Sequence, residues 1–392
     1  MRNPLSDKIV KIPPSGIRKF FDIVSEMKDA ISLGVGEPDF ETPWHIREEG
    51  IYSLEKGRTF YTSNAGLKPL KVEICEYLKR RCGVTYDPDQ EILVTVGGSE
   101  AIDIALRAML NEGDEVLIPQ PSYVSYMPCV TLADGVPVTI ELEEKDQFKL
   151  TPEKLLEKIT DKTKILVLPF PNNPTGAIME KEELEEIVKI VLEKDLFVIS
   201  DEIYSELTYN GKRHVTIASF PGMKERTVLI NGFSKAYAMT GWRIGYLVAP
   251  EPGYIKKMAQ LQEGVASCVS TFTQAAAVEA LKSTACVDQM VADYTRRRDI
   301  LVDGLNAIPG ITCKKSAGSF YAFPNIKAFG KTSQAFAEEL LENAGVVTVP
   351  GSAFGDMGEG YLRLVFANSD ENLKEAVRRI ADYVARAYPG IK

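Results

Sequence analysis

The chain has 392 residues, of which 45% are apolar and 26% are charged, and this composition excludes a mainly disordered protein while the length predicts two or three domains. The net charge of −9 comes without a basic block, so the chain is a poor candidate for binding nucleic acid. No apolar run approaches the roughly 20 residues that span a bilayer, and no secretory apolar region opens the sequence, so we expect a cytoplasmic protein with no membrane partner.

Histidine and cysteine offer little for catalysis. A histidine-rich zinc site or a Ser-His-Asp triad would have to use His45 or His214, the two histidines of the chain, and we interpret both as surface residues. The six cysteines form no C-x-x-C pair, and we expect them to be reduced and mostly buried. The chemistry is therefore expected to use no metal, no histidine base and no disulfide.

Apolar runs rich in β-branched residues alternate with helical patterns between residues 91 and 249. The predicted strands, in chain order, are 91–96, 114–119, 136–142, 164–170, 196–200, 226–232 and 242–249. The helices predicted between them are 98–110, 122–133, 151–160 and 181–194. This alternation is typical of an α/β domain with a mostly parallel sheet of seven strands, covered on both faces.

The pattern changes after residue 250. Long helical stretches run from about 253 to 305, and the last eighty or so residues mix short strands with helices, as a smaller α+β domain would. The first forty-odd residues have no strand partner of their own and are expected to pack against that domain. We therefore predict an N-terminal segment at 1–46, a large domain at 47–285 and a small domain at 286–392, with a helix crossing the last boundary.

Ligands of open α/β sheets bind beyond the carboxyl ends of the strands, so the residues that follow each strand are the candidates. Gly97-Gly98-Ser99-Glu100 opens a helix whose free amides suit a phosphate, although a tight turn without a ligand would look the same. Asp201 follows the strand at 196–200. A carboxylate there needs Mg²⁺, an arginine or a protonated ring nitrogen beside it, or else it caps a helix.

Two further strands end in distinctive residues. The turn PNNPTG at 171–176 is rigid and can present the Asn173 amide, and its Asn173–Pro174 bond is a candidate for the cis form. Lys235 follows the strand at 226–232 among small and apolar residues. Desolvation there would lower the pKa of Lys235, and the neutral amine could then form a Schiff base with a carbonyl. Arg243 could clamp a phosphate. The alternatives are that Lys235 reaches water and that Arg243 pairs with a surface acid.

All these groups fall at the same edge of the predicted sheet. A phosphate site, a carboxylate, an amide donor, a reactive lysine and a second phosphate ligand form the set that pyridoxal phosphate needs. The sequence therefore predicts pyridoxal 5'-phosphate as the cofactor.

At these residues the chain resembles the class I aminotransferases of fold type I, in the subgroup of bacterial and archaeal aspartate and aromatic amino-acid aminotransferases. The resemblance extends almost end to end, through IRKFFDI, ISLGVGEPDF, YTSNAG, PNNPTG, SDEIY, SKAYAMTGWRIGY, VPGSAFG and YLRLVFA. PNNPTG and the Lys–Arg string are highly specific. The fold it implies is the pyridoxal-phosphate-dependent transferase fold of type I, which agrees with the predicted α/β large domain and smaller α+β domain.

The resemblance implies a role for each matching residue around the cofactor ring. Lys235 is similar to the lysine that binds the cofactor covalently and then carries the proton, and Asp201 to the partner of the pyridine nitrogen. Asn173 and Tyr204 match the two donors to the phenolic oxygen. Tyr123 matches the aromatic residue that stacks on the ring.

The resemblance also implies a phosphate cup, a substrate clamp and a homodimer. The cup is formed by Gly98, Ser99, Glu100 and Arg243. Tyr61 matches a tyrosine that reaches the phosphate of the neighbouring subunit, so a homodimer with shared sites is implied. Arg363 and the Gly36 backbone match the groups that bind the substrate α-carboxylate. Many relatives carry a serine three residues before the lysine. Here that position is Gly232, and Ser234 is the candidate substitute.

The implied activity moves an amino group from an L-amino acid to a 2-oxo acid, in two half-reactions in which the cofactor alternates between its pyridoxal and pyridoxamine forms. We find no fixed cation for a second substrate carboxylate. The segment 261–274, which is expected to line the site, has no Lys or Arg. Arg18 is the one cation that could move into the site. We therefore expect aromatic or broad neutral amino acids as donors and 2-oxoglutarate as acceptor. Aspartate is the alternative.

Two other classes of function remain open on this fold. One is a pyridoxal-phosphate-dependent lyase that cleaves a Cβ–S bond. The other is a regulator without turnover, which Lys235, Asp201 and Arg363 argue against. We also expect residues 10–30 to move with the small domain and close the site.

Overall fold

The computed structural model describes residues 2, 4–13, 29–250 and 252–391. Within these residues the α-helices are α1 (Asp7–Lys11), α2 (Trp44–Glu55), α3 (Lys68–Cys82), α4 (Gly98–Met109), α5 (Tyr126–Leu132), α6 (Pro152–Lys158), α7 (Lys181–Glu193), α8 (Pro252–Val265), α9 (Thr271–Leu281), α10 (Ala285–Asn306), α11 (Ser333–Ala344) and α12 (Asp370–Ala387). The strands are β1 (Ile31–Ser32), β2 (Ile92–Thr95), β3 (Glu115–Gln120), β4 (Val136–Glu141), β5 (Thr163–Leu168), β6 (Phe197–Asp201), β7 (Thr227–Gly232), β8 (Gly245–Val248), β9 (Tyr321–Ala322), β10 (Val346–Val347), β11 (Val349–Pro350) and β12 (Leu362–Val365).

Seven of these strands form one sheet in the order β2-β8-β7-β6-β5-β3-β4. Strand β8 runs antiparallel to both of its neighbours, and the other pairings are parallel. The predicted sheet of seven mostly parallel strands is therefore confirmed. Each strand lies within a few residues of its predicted position, because a continuous apolar run is what a strand buried on both faces requires.

Alternate side chains of the central strands pack on opposite faces of this sheet. Ile165 and Ile199 lie in the core beneath α4, α5 and α8. Leu166 and Val198 lie in the core beneath α6 and α7. This layering leaves the carboxyl ends of the strands as the edge at which polar residues can gather.

The remaining strands form two small sheets. One is antiparallel, in the order β11-β12-β9, and the other is a parallel pair of β1 and β10. The expectation that the first forty-odd residues lack a strand partner was therefore wrong. Ile31 pairs with Val346, and a two-residue strand of this kind forms through docking and leaves no alternating pattern in the sequence. At the start of the chain, Lys8 of α1 forms an ion pair of 2.5 Å with Asp134, next to α5.

The two histidines are half-buried, which corrects their interpretation as surface residues. His214 Nε2 lies 2.9 Å from Oε2 of the buried Glu202, and the His214 side chain is only 10% exposed. The polar sequence around His214 could not show that its loop folds back over a buried carboxylate. All six cysteines are free, with Cys75 and Cys313 buried and the other four half-buried. Among the described helices, none combines the length and the apolar character that a bilayer crossing requires.

Candidate active site

A cavity of about 390 Å³ opens at the carboxyl ends of β5, β6 and β7 and at the first turn of α4. Eleven of the thirteen predicted site residues line it: Gly36, Gly98, Ser99, Tyr123, Asn173, Asp201, Tyr204, Ser234, Lys235, Arg243 and Arg363. The two that do not line it are Glu100 and Tyr61. The sheet therefore gathers most of the candidate residues in one place, although they are spread over more than 300 positions of the sequence.

Lys235 lies just beyond β7, with its amine inside the cavity. The Nζ atom donates a hydrogen bond of 2.6 Å to the carbonyl oxygen of Gly36. Burial lowers the pKa of Lys235 to about 8, and the nearby Arg363 charge acts in the same direction. The amine is thus desolvated, as the sequence predicts, and a fraction of it is neutral and nucleophilic near neutral pH.

Asp201 ends β6 with its carboxylate buried in the cavity wall. Tyr126 donates a hydrogen bond of 2.6 Å to Oδ2, and the backbone N–H of Ile203 donates one of 3.2 Å to Oδ1. Burial raises the pKa of Asp201, and the Tyr126 bond opposes that rise. Residues 203–206 form a turn, so the alternative that Asp201 caps a helix is wrong.

Tyr126 is a site residue that sequence reasoning missed. Its ring packs edge-on against Tyr123, with 5.6 Å between ring centroids, and it is 2% exposed. The spacing of three between the two tyrosines places both on one side of a helical turn, and that spacing was the available signal. From the sequence alone Tyr126 is expected to be a core residue, and only its hydrogen bond to Asp201 distinguishes it.

One end of the cavity is formed where α4 begins beside Arg243. Gly97 has a φ of 83°, and a Cβ atom there would lie 2.4 Å from Arg243 Nη2, so only glycine permits this close approach. Arg243 Nη1 donates to the carbonyl oxygen of Thr240 at 3.0 Å. No carboxylate of the described residues forms an ion pair with Arg243, which removes the surface-acid alternative.

Glu100 contributes less to this corner than its place in the motif suggests. Its carboxylate turns back and accepts a hydrogen bond from the backbone N–H of Val96. Only the backbone of Glu100 is therefore left for a phosphate. Ser99 does line the cavity, with its hydroxyl oxygen 3.3 Å from that of Tyr123.

The glycine that replaces the serine of many relatives has a structural reason. A Cβ atom on Gly232 would lie 3.0 Å from the Gly245 Cα and 3.2 Å from the Ile244 carbonyl oxygen. A serine between β7 and β8 therefore requires the β8 backbone to give by a few tenths of an ångström. Ser234, the candidate substitute, lines the cavity two residues later.

Arg363 enters the cavity from β12 of the small antiparallel sheet and is only 3% exposed. Its guanidinium donates to Asn173 Oδ1 at 3.0 Å and to the carbonyl oxygen of Gly34 at 2.6 Å. It also lies over the Tyr321 and Phe354 rings, at 4.5 and 4.7 Å from their centroids. Its buried Nε has no partner among the described residues. Arg363 is thus a rigidly held cation with a donor to spare for an anion.

Asn173 and Tyr204 face the cavity from the loops after β5 and β6. The Asn173–Pro174 bond is cis, as the sequence predicts. The Tyr204 hydroxyl oxygen lies 2.7 Å from that of Tyr321, a second cavity residue that sequence reasoning missed. Tyr321 belongs to the apolar run SFYAF, where nothing but the fold distinguishes it from a core residue.

Two predicted contributors lie away from the cavity. Tyr61 is 90% exposed. The segment 261–274 was expected to line the site, but none of its residues does so: Gln262 and Gln274 are buried elsewhere and Val265 is 75% exposed. That expectation is wrong for the chain's own cavity, since helices α8 and α9 pack this segment beside α4 and α2. Arg18, IRKFFDI and most of the proposed moving segment 10–30 lie outside the described residues.

Comparison with known proteins agrees with this geometry. A profile of the family "Aminotransferase class I and II" matches residues 28–380. A putative aminotransferase of Bacillus subtilis (strain 168) is 48% identical over 98% of this chain and 99% of its own, and an aspartate aminotransferase of Pyrococcus abyssi is 46% identical over 96% and 97%. The crystal structure of an aromatic aminotransferase from Pyrococcus horikoshii OT3 superposes with a TM-score of 0.90, at 45% identity over 95% of this chain and 99% of that one. The chain therefore belongs to the class I and II aminotransferase family.

Proposed function

We propose that this aminotransferase binds pyridoxal 5'-phosphate in the cavity and transfers the amino group of an aromatic or broad neutral L-amino acid to 2-oxoglutarate. The observation that carries the proposal is the desolvated Lys235 amine, which shares one cavity with Asp201 and Arg363.

The residues present fit that cofactor. Its aldehyde needs a neutral amine, which Lys235 supplies, and its ring nitrogen needs a carboxylate, which Asp201 supplies. Its phosphate needs backbone donors and a cation. The free amides at the start of α4 would supply the donors, and Arg243 beside them would supply the cation. The Arg363 guanidinium lines the cavity and has N–H donors beyond the two that Asn173 and Gly34 accept, and these are left for a substrate carboxylate.

The residues of the chain divide the work of the reaction. Pyridoxal phosphate, when bound, supplies the carbonyl for the amine and a ring that accepts electrons from the substrate α-carbon. Arg363 holds the α-carboxylate and so fixes the direction of the α-carbon–hydrogen bond. With the cofactor bound, the Lys235 amine would remove the proton from that carbon and carry it to the cofactor, and the lowered pKa of Lys235 in the cavity suits a group that both accepts and returns a proton. Asp201 would keep a proton on the ring nitrogen.

The preference for neutral donors is supported by the charges in the cavity wall. Its cationic residues, within the described part of the chain, are Lys235, Arg243 and Arg363, and each has a role above. None is left for a second carboxylate. Aspartate remains the alternative donor, because a relative at 46% identity carries that name.

Steady-state kinetics with 2-oxoglutarate as acceptor test the proposed donor. We expect kcat/KM for phenylalanine to exceed that for aspartate. A larger value for aspartate would replace the aromatic proposal with the aspartate one. Pyruvate and ammonia released from a sulfur-containing amino acid without an acceptor would instead indicate the lyase.

We also propose a homodimer with shared sites. Tyr61 and its neighbour Phe60 are 90% and 83% exposed, and Val265 is 75% exposed. Exposed aromatic and aliphatic side chains of this size are typical of an interface. This supports the role that the resemblance implies for Tyr61 at the phosphate of a partner subunit.

The three predicted segments, 1–46, 47–285 and 286–392, stand as a proposal. Helix α10 spans the last boundary, and the packing of its two ends supports a division between the large and small domains close to the start of the helix. Val287 packs with the core of α3 and α9, and Leu301 packs with the core of the small sheets. A cytoplasmic location stays a prediction from the sequence.

A further inference from the structure

Two buried tyrosines share one hydrogen bond at the wall of the cavity. The hydroxyl oxygens of Tyr204 and Tyr321 lie 2.7 Å apart, and the side chains are 5% and 1% exposed. The rings meet edge to face, with 5.8 Å between their centroids. Because each hydroxyl carries a single proton, one tyrosine donates this bond and the other accepts it.

The direction of this bond decides what Tyr204 can offer to a ligand. If Tyr204 donated to Tyr321, its only proton would point away from the cofactor. If Tyr321 donates, the Tyr204 proton stays free for the cavity, and the two bonds in series strengthen each other. We propose that Tyr321 is a positioning residue that donates to Tyr204, so that Tyr204 donates its own proton to the phenolic oxygen of the cofactor. This inference rests on the proposed function.

The surroundings of Tyr321 favour it as the donor. The Arg363 guanidinium lies 4.5 Å from the centre of the Tyr321 ring, and a nearby cation makes a phenol a better donor. Burial raises the pKa of both hydroxyls, that of Tyr204 well above its ordinary value. The Arg363 charge acts against the rise at both tyrosines, and it ranks second among the causes at Tyr321 but fourth at Tyr204. The other ionisable groups facing the pair are Asp201, Lys235 and Tyr123.

The Tyr321 hydroxyl is also fixed in place by backbone. A Cβ atom on Gly36 would lie 2.6 Å from that oxygen, so the chain segment after β1 closes one side of it. The Tyr321 ring itself packs against Phe320, at 4.9 Å between centroids. The bond to Tyr204 is therefore held in one geometry.

The test is a pH titration of the visible absorbance of the bound cofactor in wild type, Tyr321→Phe, Tyr204→Phe and the double variant. A weaker donor leaves more negative charge on the phenolic oxygen of the cofactor. That charge stabilises the proton on the adjacent Lys235 nitrogen, so the pH midpoint of the absorbance change rises. We expect the midpoint in Tyr321→Phe to rise by about half a pH unit to one pH unit, with a larger rise in Tyr204→Phe. In the Tyr204→Phe background, Tyr321→Phe should add nothing.

Tyr294→Phe is the matched control. Tyr294 is a buried tyrosine of the same core whose ring also packs against Phe320, and its hydroxyl has no partner among the described residues. Its midpoint should equal that of wild type. An unchanged midpoint in Tyr321→Phe, an equal shift in Tyr294→Phe, or a shift that persists without the Tyr204 hydroxyl would each overturn the inference. A wild type without a visible band, even after addition of pyridoxal phosphate, would overturn the proposed function instead, and the inference with it.

Discussion

Arg363 Nη1 donates a hydrogen bond of 3.0 Å to Asn173 Oδ1, although 190 residues separate the two in the sequence. The bond joins β12 of a small sheet to the loop after β5 of the large one. It links the residue proposed to bind the substrate carboxylate to a residue proposed to bind the cofactor. The cavity is therefore complete only when both parts of the chain are in place.

Arg363→Lys tests this clamp. Lysine keeps the charge but loses the planar fork that reaches Asn173 and Gly34 together, so we expect KM for the donor amino acid to rise roughly 10- to 100-fold. Arg378→Lys, an exposed arginine on α12, is the matched control and should leave KM unchanged. Equal KM values for wild type and Arg363→Lys would show that the substrate binds elsewhere.

The lowered pKa of Lys235 predicts a pH-dependent stability in the cofactor-free protein. The folded pKa is about 8 and the ordinary value is 10.5, so between these pH values the unfolded chain binds a proton that the folded chain does not. Stability contributed by Lys235 therefore rises with pH across this window, by up to about 3 kcal/mol. Below pH 8 both states hold the proton and the contribution is flat.

Lys235→Met isolates this contribution, because it removes the titrating group. We expect the free energy of unfolding of wild type, minus that of the variant, to increase across the window when measured with urea at several pH values. A difference that is constant with pH would mean that Lys235 is not desolvated in the folded protein.

Gly232→Ser restores the serine of many relatives. Because its Cβ atom would press on the Gly245 backbone, we expect a loss of about 1–3 kcal/mol in the free energy of unfolding and no gain in affinity for pyridoxal phosphate. Gly264→Ser, at a helical glycine with open space around it, is the comparison variant. Tighter cofactor binding in Gly232→Ser at unchanged stability would refute this account of the departure.

Tyr61→Phe tests the shared-site dimer. If the Tyr61 hydroxyl reaches the phosphate bound by a partner subunit, its loss should weaken pyridoxal phosphate binding roughly 10- to 100-fold in a fluorescence titration. Tyr52→Phe, at an exposed tyrosine of α2, should bind as wild type does. A monomeric mass in sedimentation equilibrium, or unchanged affinity in Tyr61→Phe, would exclude the shared site.

The edge of the large sheet was predictable because its strands are apolar runs that end in polar residues. Asp201 is the last residue of one such strand and Lys235 lies three residues after the next, so their meeting followed from the parallel arrangement of the strands. Glu100 shows the limit of that reasoning. Its position in the motif was correct, yet its carboxylate satisfies the Val96 backbone rather than facing the cavity.

Tyr126 and Tyr321 could not be found in the same way. Both lie in apolar stretches and are buried, so their sequence context is that of core residues. Their functional atoms are single hydroxyls that meet Asp201 and Tyr204 only after distant segments pack together. Strand β1 and the burial of His214 were missed for the same reason. Ile31 pairs with the distant Val346, and His214 meets Glu202 only because the His214 loop folds back.

The most direct test of the central claim is the visible spectrum of the purified protein before and after addition of phenylalanine, with no acceptor acid present. We predict that the absorbance band of the bound cofactor disappears and that phenylpyruvate forms in equal amount, and that Lys235→Ala shows neither change. If no 2-oxo acid forms from phenylalanine, or from aspartate in its place, or if Lys235→Ala reacts as fast as wild type, amino-group transfer at Lys235 is contradicted.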